Sequence, residues 1–572
     1  RDDPSYSTKY SRPTTMETEN MPPKVNSIEE TYQKLDQREH VLKRPDSYVG
    51  SVNSWSTNMW VFEEERDEEG AVVSGSHQLA QKPISYVPAL FKIFDEILVN
   101  AADNKTRDPE GMTWIKVSID QDAGVICVAN NGKGIPIRMH AKEKIYVPEL
   151  IFGNLLTSDN YNDDKKKTTG GRNGFGAKLC NIFSTKFTVE TADANVGKKF
   201  IQTFSANMTQ KTKPKITKYS KEDYTKITFW PDWEKFGMTG LDDNTVALFK
   251  KRVYDMAGCT DDSVAVYLNG KKLPVKSFQT YVKLCKKSLE AKFGARRNVE
   301  FISVNDRWEV AVCASDGQFE QVSFVNSIWT SKGGTHVEYI SDQVCKSLEK
   351  VIATKNKKGT KIKKHAIKQF LCVFVRSIIE NPSFDSQTKD ALTTLKSKFG
   401  STAVLPPAFL KALASKKVGI VDQVLALATF KSRKIGKEGT KAKNVRGVSK
   451  LDDANKAGTA QAHKCTLILT EGDSAKTLAV SGLSIVGRDY YGVFPLKGKP
   501  LNVREARYDQ IAKNDEIQNI IRIMGLKRNV EYTAENIKTL RYGHLMIMAD
   551  QDHDGSHIKG LIINLIHWYN PS

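Results

Sequence analysis

The segment Phe91–Asn104 constrains the fold most, because it joins a strong helical pattern to an unusual polar face. Its apolar residues recur at three-to-four spacing and form one stripe: Phe91, Phe94, Ile97, Leu98 and Ala101. Glu96, Asn100 and Asn104 lie four residues apart and share another face. A glutamate can take a proton from water, and asparagine oxygens suit Mg²⁺. The helix alone also fits an ordinary solvated polar face.

The composition favours a multidomain globular protein with a polyanionic partner. A length of 572 residues predicts three or four domains, and the net charge of +20 favours nucleic acid or an acidic membrane as partner. The eight cysteines are scattered without a CxxC pair, which argues against a zinc site and against a disulfide framework. The apolar run Leu561–Ile566 is too short to span a bilayer.

The pattern along the chain predicts five segments. Residues 1–27 are polar and proline-rich and are expected to form a disordered arm, and residues 28–275 form a first domain. A second α+β domain covers residues 276–429, with Trp308–Cys313 and Gln321–Val325 as paired strands. A basic linker at 430–460 precedes alternating strands and helices at 461–572, which predict a small parallel α/β domain. Because the chain begins with Arg and ends just after an apolar run, we interpret it as a fragment.

Two glycine-containing motifs follow the helix. The sequence NNGKG at Asn130–Gly134 comes after a predicted strand, where its glycines would admit a flat ligand, although many β-turns also contain Asn-Gly. The sequence TGGRNGFGAK at Thr169–Lys178 predicts backbone N–H groups that bind phosphate at a helix start, or else a mobile loop. It matches neither a Walker A loop nor a Rossmann fingerprint.

Acidic residues follow two predicted buried strands near the C-terminus. Glu471 ends one strand, and Asp550, Asp552 and Asp554 occupy alternate positions where another is expected to end, which would direct them to one side. Such carboxylates repel one another unless a cation lies among them. The sequence therefore predicts a Mg²⁺ site, with a solvated acidic turn as the alternative.

The order of Glu96 and Asn100, the NNGKG motif, the glycine-rich loop and Thr228 resembles the GHKL ATPase family. This resemblance implies that Glu96 is the general base and Asn100 a ligand of the Mg²⁺ bound to ATP. Asn130 and Thr228 would read adenine, although most of the superfamily has Asp at the first position. The other implied nucleotide contacts are Asn104, Ser158, Asn160, Arg172, Asn173, Gly174, Phe175, Gly176, Ala177 and Lys178.

The Glu471 and Asp550–Asp554 motifs resemble a TOPRIM domain. TOPRIM downstream of a GHKL ATPase is the arrangement of type II DNA topoisomerases, and Gly333-Gly334 together with Asp385–Lys389 resemble the eukaryotic form. The implied fold is α+β and multidomain: a GHKL ATPase α/β sandwich, a ribosomal-S5-like α+β transducer, and an incomplete Rossmann-like parallel α/β TOPRIM domain. These would occupy residues 28–275, 276–429 and 461–572.

The same resemblance implies further sites and partners. Gln387 and Lys389 would reach the γ-phosphate, with Lys389 catalytic beside Glu96, and Tyr32 would cross to the nucleotide of a partner subunit. Contacts to double-stranded DNA are expected from Lys355, Lys357, Lys358, Lys497, Lys499 and Asn502. ATP and Mg²⁺ are the expected cofactors of a nuclear homodimer that passes one duplex through a double-strand break. The DNA-cleaving tyrosine of this family would lie beyond residue 572, so ATPase activity alone is expected of this chain.

Two alternatives remain at this point. A bacterial-type gyrase or topoisomerase IV B subunit would share the chemistry but carry the tyrosine on another chain. A GHKL chaperone or clamp would bind without cleaving DNA, and it would not need the acidic residues near the C-terminus.

Overall fold

The computed structural model describes residues 32, 34–66, 72–157, 166–171, 174–293, 297–356, 362–432, 445, 448, 450–506, 508–527, 530, 532–533 and 535–569. Three large clusters of buried apolar side chains organise this part of the chain. Each cluster is built around a different β-sheet.

The first cluster lies between a nine-stranded sheet and the helices packed on it, and it also includes residues of the five-stranded sheet, such as Phe324 and Phe374. Its elements are α1 (Gln37–Lys43), β1 (Trp55–Arg66), β2 (Val72–Tyr86), α2 (Pro88–Arg107), β3 (Trp114–Asp120), β4 (Val125–Asn131), α3 (Val147–Gly153), α4 (Gly176–Ile182), β5 (Ser184–Asp193), β6 (Lys198–Ser205), β7 (Gln210–Lys211), β8 (Lys215–Lys218), β9 (Tyr224–Pro231), α5 (Asp243–Cys259), β10 (Ala265–Leu268), β11 (Lys271–Lys272) and α6 (Phe278–Phe293). The strand order is β11-β10-β3-β4-β9-β5-β6-β7, with β8 also paired to β6. Strands β1 and β2 form a separate antiparallel hairpin.

The second cluster covers a five-stranded sheet. Its elements are β12 (Glu300–Asn305), β13 (Trp308–Ala314), β14 (Glu320–Val325), β15 (Ile328–Trp329), β16 (Gly333–Gly334), α7 (Thr335–Lys355), α8 (Lys364–Lys368), β17 (Leu371–Ser377), β18 (Ala391–Leu392), α9 (Pro407–Leu413) and α10 (Ile420–Ser432). The predicted pairing of β13 with β14 is wrong, because β17 lies between them in the order β12-β13-β17-β14-β15. The prediction paired β13 with the strand that follows it next in the sequence. In the structure β17 pairs with β14 in parallel and with β13 antiparallel.

The third cluster surrounds a parallel sheet of three strands, as predicted. Its elements are β19 (Thr466–Glu471), α11 (Gly472–Val486), β20 (Tyr491–Leu496), α12 (Tyr508–Lys513), α13 (Asp515–Met524), β21 (His544–Met548) and α14 (His553–Tyr569). The order β20-β19-β21 places the carboxyl ends of all three strands at one edge.

Helix α2 is more deeply buried than an amphipathic surface helix. Pro88 begins it, where a missing N–H costs no hydrogen bond, and the apolar stripe packs in the first cluster. The opposite face is buried as well, since Glu96 and Asn104 are only 4% and 7% exposed. A solvated polar face is therefore excluded, and its polar groups need partners within the protein.

At two of the predicted domain boundaries, residues from both sides pack in the same cluster. The boundaries themselves stay predictions. Helix α6, placed in the second domain from sequence, contributes Phe278 and Tyr281 to the first cluster. Ala454 and Ala457, placed in the basic linker, belong to the third cluster. Among the described residues, no helix is both long and apolar enough to cross a membrane.

Candidate functional site

A cavity of about 650 Å³ opens between α2, the end of β4 and the glycine-rich loop. Most of the predicted nucleotide residues that the structure describes line it: Glu96, Asn100, Asn104, Asn130, Gly174, Phe175, Gly176, Ala177, Lys178, Gln387 and Lys389. Its volume lies within the range of roughly 300–1,000 Å³ that is usual for small-molecule sites. Residues nearly three hundred positions apart therefore share one pocket.

One wall of the cavity can hold a flat apolar ligand. Apolar side chains from strands β4 and β9, from α3 and from the loop after β4 form it: Val128, Ile135, Ile151, Phe152 and Ile227. Asn130, 5% exposed, lies beside this wall. Its neighbour Asn131 instead fixes the fold, because its Oδ1 accepts from Thr113 N (2.9 Å) and Trp114 N (2.8 Å).

The prediction that Thr228 reads adenine is contradicted by the position of its side chain. Successive residues of β9 point to opposite faces of the sheet, and the cavity is lined by Thr225 and Ile227. Thr225 is paired in register with Asn130, and its hydroxyl lies 3.0 Å from that of Thr191. Thr225 is therefore the threonine that lines the cavity together with Asn130. Thr225 and Thr228 lie three positions apart in the TKIT segment, so their side chains point to opposite faces, and this spacing was the signal that could have distinguished them.

A buried carboxylate between two lysines forms the polar end of the cavity. Glu96 Oε1 lies 2.6 Å from Lys92 Nζ and 2.9 Å from Lys389 Nζ, and all three side chains are at most 8% exposed. Burial opposes the charged form of Glu96, but the two lysines outweigh it and lower its pKa from 4.5 to about 2. Burial lowers the pKa of Lys92, whereas for Lys389 the Glu96 charge outweighs burial and raises the pKa.

Lys389 is brought to Glu96 by a loop in a constrained conformation. Its φ of 64° is left-handed, which is costly for a residue with a side chain and persists only where the surroundings enforce it. Lys389 N donates to Ser386 O at 3.1 Å, and Nζ also donates to Gly170 O at 3.4 Å. The lysine predicted to sense a phosphate therefore contacts the predicted general base and the start of the glycine-rich loop.

The glycine-rich loop approaches Glu96 too closely for any side chain. A Cβ on Gly176 would lie 2.1 Å from Glu96 Oε2, so only glycine fits at this first position of α4. Lys178 is 3% exposed, and its Nζ donates to Thr157 O and Gly174 O, both at 2.6 Å. The loop thus brings backbone N–H groups and a buried ammonium to the cavity.

Asp103 is a site residue that the sequence reasoning missed. Its two carboxylate oxygens accept from Gly170 N (2.8 Å) and Gly171 N (2.9 Å), which fastens the start of the loop to α2. Burial raises its pKa to about 6 although both N–H groups oppose the shift. Its place seven residues after Glu96, two turns along the same helix, was the available signal.

Several predicted contacts cannot be placed in this cavity. Ser158, Asn160, Arg172 and Asn173 lie outside the described residues, as do Lys357 and Lys358. Tyr32 is described and is 80% exposed, and it does not line the cavity. Its contact with a partner subunit stays a prediction.

The acidic residues of the third sheet share an edge but do not form a cage. Glu471 Oε2 accepts from Asp550 N at 3.3 Å, which brings the ends of β19 and β21 together. The alternation argument for the aspartates is wrong, because β21 ends at Met548 and Asp554 lies in the first turn of α14. Within the described residues, no group of three or more His, Cys, Asp or Glu side chains has a metal-binding arrangement. The Mg²⁺ site at this edge therefore stays a prediction.

Three of the predicted DNA contacts, Lys355, Lys497 and Lys499, are exposed, and Asn502 is half-buried. Lys355 ends α7, and Lys497 and Lys499 follow β20. Lys499 Nζ is 2.8 Å from Asp554 Oδ1, and Asn502 Oδ1 accepts from Asn564 Nδ2 at 2.9 Å. The last two predicted DNA contacts therefore pair with residues of α14, the helix that follows the acidic edge.

Three protein-family models match successive parts of the chain. Residues 86–232 match the family model described as histidine kinase-, DNA gyrase B-, and HSP90-like ATPase. Residues 267–444 match DNA gyrase B, and residues 466–571 match the Toprim domain.

Full-length relatives are similar along nearly the whole chain. DNA topoisomerase 2 of Pisum sativum is 55% identical over 556 residues, covering 97% of this chain and 37% of that protein. DNA topoisomerase 2-alpha of Mus musculus is 54% identical over 550 residues, covering 96% of this chain and 35% of that protein. The chain thus spans a little over a third of the length of these relatives.

Solved structures of related proteins are similar to this chain over about 70% of its length. The ATPase region of Saccharomyces cerevisiae topoisomerase II is 47% identical, with a TM-score of 0.63, and the match covers 70% of this chain and 100% of that one. The ATPase and transducer domains of DNA topoisomerase II from Balamuthia mandrillaris are 45% identical, with a TM-score of 0.65, and the match covers 71% and 100%. Because identity of this size extends over the whole of those structures, the chain belongs to the eukaryotic type II DNA topoisomerase family.

Proposed function

We propose that this chain binds and hydrolyses ATP in the cavity beside α2 and supplies the ATP-driven part of a type II DNA topoisomerase. The observation that carries the proposal is the buried contact of Glu96 with Lys92 and Lys389, which lies beside the glycine-rich loop in a cavity that also has apolar lining residues. A base that orients and deprotonates water, a cation that can meet the γ-phosphate and a phosphate-binding backbone are the parts that phosphoryl transfer to water needs.

The two ends of the cavity suit the two ends of a nucleotide. Asn130 and Thr225, beside the apolar wall, offer hydrogen bonds to an adenine edge. Gly174–Ala177 and Lys178 face the side where phosphates would lie. Lys178 is already held by two backbone carbonyls, so its charge is positioned before a ligand arrives.

Glu96 and Lys389 would change partners when a triphosphate binds. In the structure the two lysines keep Glu96 ionised but make it a weak base, with a pKa of about 2. A γ-phosphate would compete with Glu96 for Lys389, and the loss of one cation would raise the basicity of the carboxylate. Lys389 would then stabilise charge on the transferring phosphoryl group, while Glu96 orients and deprotonates the attacking water.

Asn100 fits a role as protein ligand of Mg²⁺ bound to the nucleotide. Its side chain is half-buried, lines the cavity and lies on the same face of α2 as Glu96. A neutral carboxamide oxygen suits Mg²⁺, which takes most of its other ligands from phosphates and water. When bound, the ion would neutralise phosphate charge. At the acidic edge of the third sheet, Glu471, Asp550, Asp552 and Asp554 are the residues that would hold a second Mg²⁺.

The wider activity follows from membership of the family. We infer that the whole protein acts as a nuclear homodimer on double-stranded DNA and couples hydrolysis to passage of one duplex through a break in another. The net charge of +20 supports a polyanionic partner. Exposed Lys355, Lys497 and Lys499 are the candidate phosphate contacts among the described residues.

The test is ATP hydrolysis by this chain in excess Mg²⁺, with and without duplex DNA, over a range of salt concentrations. We expect turnover that DNA stimulates, and the stimulation should disappear as salt rises because phosphate contacts release counterions. A folded chain without ATP turnover would refute the ATPase proposal. A rate that neither DNA nor salt affects would argue for a member of the ATPase superfamily that does not act on DNA.

A further inference from the structure

A short strap, residues 167–171, leads into the glycine-rich loop and is held from two sides. From α2, Asp103 accepts hydrogen bonds from Gly170 N and Gly171 N at 2.8 and 2.9 Å. From the second sheet, Asn326 Nδ2 donates to Thr169 O at 3.2 Å. The strap therefore joins the catalytic helix to the turn between β14 and β15.

Asn326 is fixed in place before it reaches the strap. Its φ is 49°, a left-handed conformation that asparagine tolerates better than most residues, and it is 5% exposed. Oδ1 accepts from Ile379 N at 2.8 Å, and Nδ2 also donates to Ile379 O at 2.9 Å. Asn326 N donates to Ser377 O at 3.0 Å. A shift of β17 would thus be passed through Asn326 to Thr169.

Gly170 carries this contact onward to the catalytic groups. A Cβ on Gly170 would lie 2.6 Å from Val99 Cγ1 on α2 and 3.0 Å from Asn326 O, so the strap is pressed between the helix and the turn. Gly170 O accepts from Lys389 Nζ at 3.4 Å, while the same ammonium contacts Glu96 at 2.9 Å. The position of the strap therefore bears directly on Lys389.

The same turn is tied to α2 by a buried ion pair. Arg252 Nε lies 2.7 Å from Asp95 Oδ1, next to Glu96 in sequence, and Arg252 Nη2 donates to Ser327 O at 2.6 Å. Arg252 is fully buried, so this link is shielded from solvent and salt. Two independent contacts thus fix the β14–β15 turn against the helix that carries the proposed general base.

We propose that Asn326 is a positioning residue for ATP hydrolysis, acting through the strap on Lys389 and Glu96. The proposal rests on the proposed ATPase function. Asn326 does not line the cavity, so its loss should disturb the alignment of the reacting groups more than the binding of the nucleotide. Displacement of a positioned group by about 1 Å can cost up to 10²-fold in rate.

The test variant is Asn326→Asp. It keeps the left-handed backbone and the acceptor for Ile379 N, but it replaces the donor to Thr169 O and Ile379 O with an oxygen. Asn269→Asp is the control for the backbone conformation and the side-chain contacts, at an exposed position. Asn269 has a φ of 47°, accepts from Ile119 N at 2.8 Å and donates to Ile119 O at 3.1 Å, in a turn at the far edge of the first sheet.

We expect Asn326→Asp to lower kcat about tenfold or more while KM for ATP changes by less than about threefold. In the nucleotide-free chain, amide exchange at Gly170 and Gly171 should become faster. The control should leave kcat, KM and exchange at these glycines as in the wild type. If Asn326→Asp does not fold, Asn326→Gly keeps the backbone conformation, removes all three side-chain hydrogen bonds and should give the same result.

The outcomes separate this inference from the proposed function. Unchanged exchange at Gly170 and Gly171 would show that Asn326 does not hold the strap. Faster exchange with a wild-type kcat would show a structural role only. The same conclusion would follow if Asn326→Asp and the control Asn269→Asp changed kcat and KM equally. Failure of the wild-type chain itself to hydrolyse ATP would refute the proposed function, whatever the exchange data show.

Discussion

Replacing Glu96 with glutamine tests the proposed general base and the buried charge cluster together. Glu96→Gln keeps the shape of the side chain but removes the charge that faces Lys92 and Lys389. We expect ATP hydrolysis to fall by roughly 10²–10⁴-fold, the usual loss when a general base is removed. Nucleotide binding should persist, since Lys389 no longer has to leave a carboxylate to meet a phosphate.

The same change should destabilise the nucleotide-free protein by an amount that the structure sets. A fall in the Glu96 pKa from 4.5 to about 2 corresponds to about 3 kcal/mol in favour of the ionised side chain. Because the folded pKa is the lower one, this stability is present above pH 4.5 and is lost as pH falls toward 2. At pH 7 the variant should therefore unfold with a free energy about 3 kcal/mol smaller than the wild type, by the same linkage.

Denaturant unfolding of both proteins at pH 7 and at a series of values below pH 4.5 measures this difference. Glu63→Gln is the control, because Glu63 lies 2.6 Å from Lys82 but both side chains are about a third or more exposed. Such a pair should contribute less than about 1 kcal/mol. ATP turnover within about threefold of the wild type, against the expected loss, would remove Glu96 from catalysis. Equal stability of Glu96→Gln and wild type at pH 7 would refute the argument for the charge cluster.

Three further predictions follow from the site. Thr225→Val should weaken nucleotide binding several-fold in a calorimetric titration, whereas Thr228→Val, on the opposite face of β9, should bind as the wild type does. Lys389→Met should lower kcat by about 10²-fold or more with stable folding, which steady-state kinetics and thermal unfolding would check; an unchanged kcat would exclude the lysine from the reaction. Because burial raises the pKa of Asp103 from 3.8 to about 6, its contribution to stability is lost as pH rises through that range, so Asp103→Asn should flatten the pH dependence of unfolding between about pH 4 and pH 6; identical slopes would contradict the shift.

Local patterns predicted the parts of the fold that depend on neighbouring residues. The three-to-four spacing after Phe91 identified α2, and the strand expected just before the NNGKG motif is β4. The alternation of strands and helices after Cys465 predicted the parallel third sheet. These succeed because hydrogen bonding within a helix, and burial of one face of a strand, are set by nearby side chains.

Predictions failed where a side chain's direction depended on where an element ends or which strand it joins. Thr225 and Thr228 are both threonines of one strand, and only the register of β9 against β4 shows which one faces the cavity. The side chains of the aspartates after β21 were expected to point to one side of the sheet, but the strand ends at Met548, before the first of them. The pairing of β13 with β17 joins residues about sixty positions apart, a distance that no local pattern reports.

The sequence by itself determined that α2 presents Glu96, Asn100 and Asn104 on one face, that a glycine-rich loop follows, and, by resemblance, that Lys389 belongs with them. Tertiary structure alone decided that this face is buried, that Glu96 is held between Lys92 and Lys389, and that Asp103 and Asn326 grip the strap. The physical reason is that a pKa, a close approach and a cavity depend on groups brought together from distant parts of the chain, whereas helical periodicity depends on residues a few positions apart.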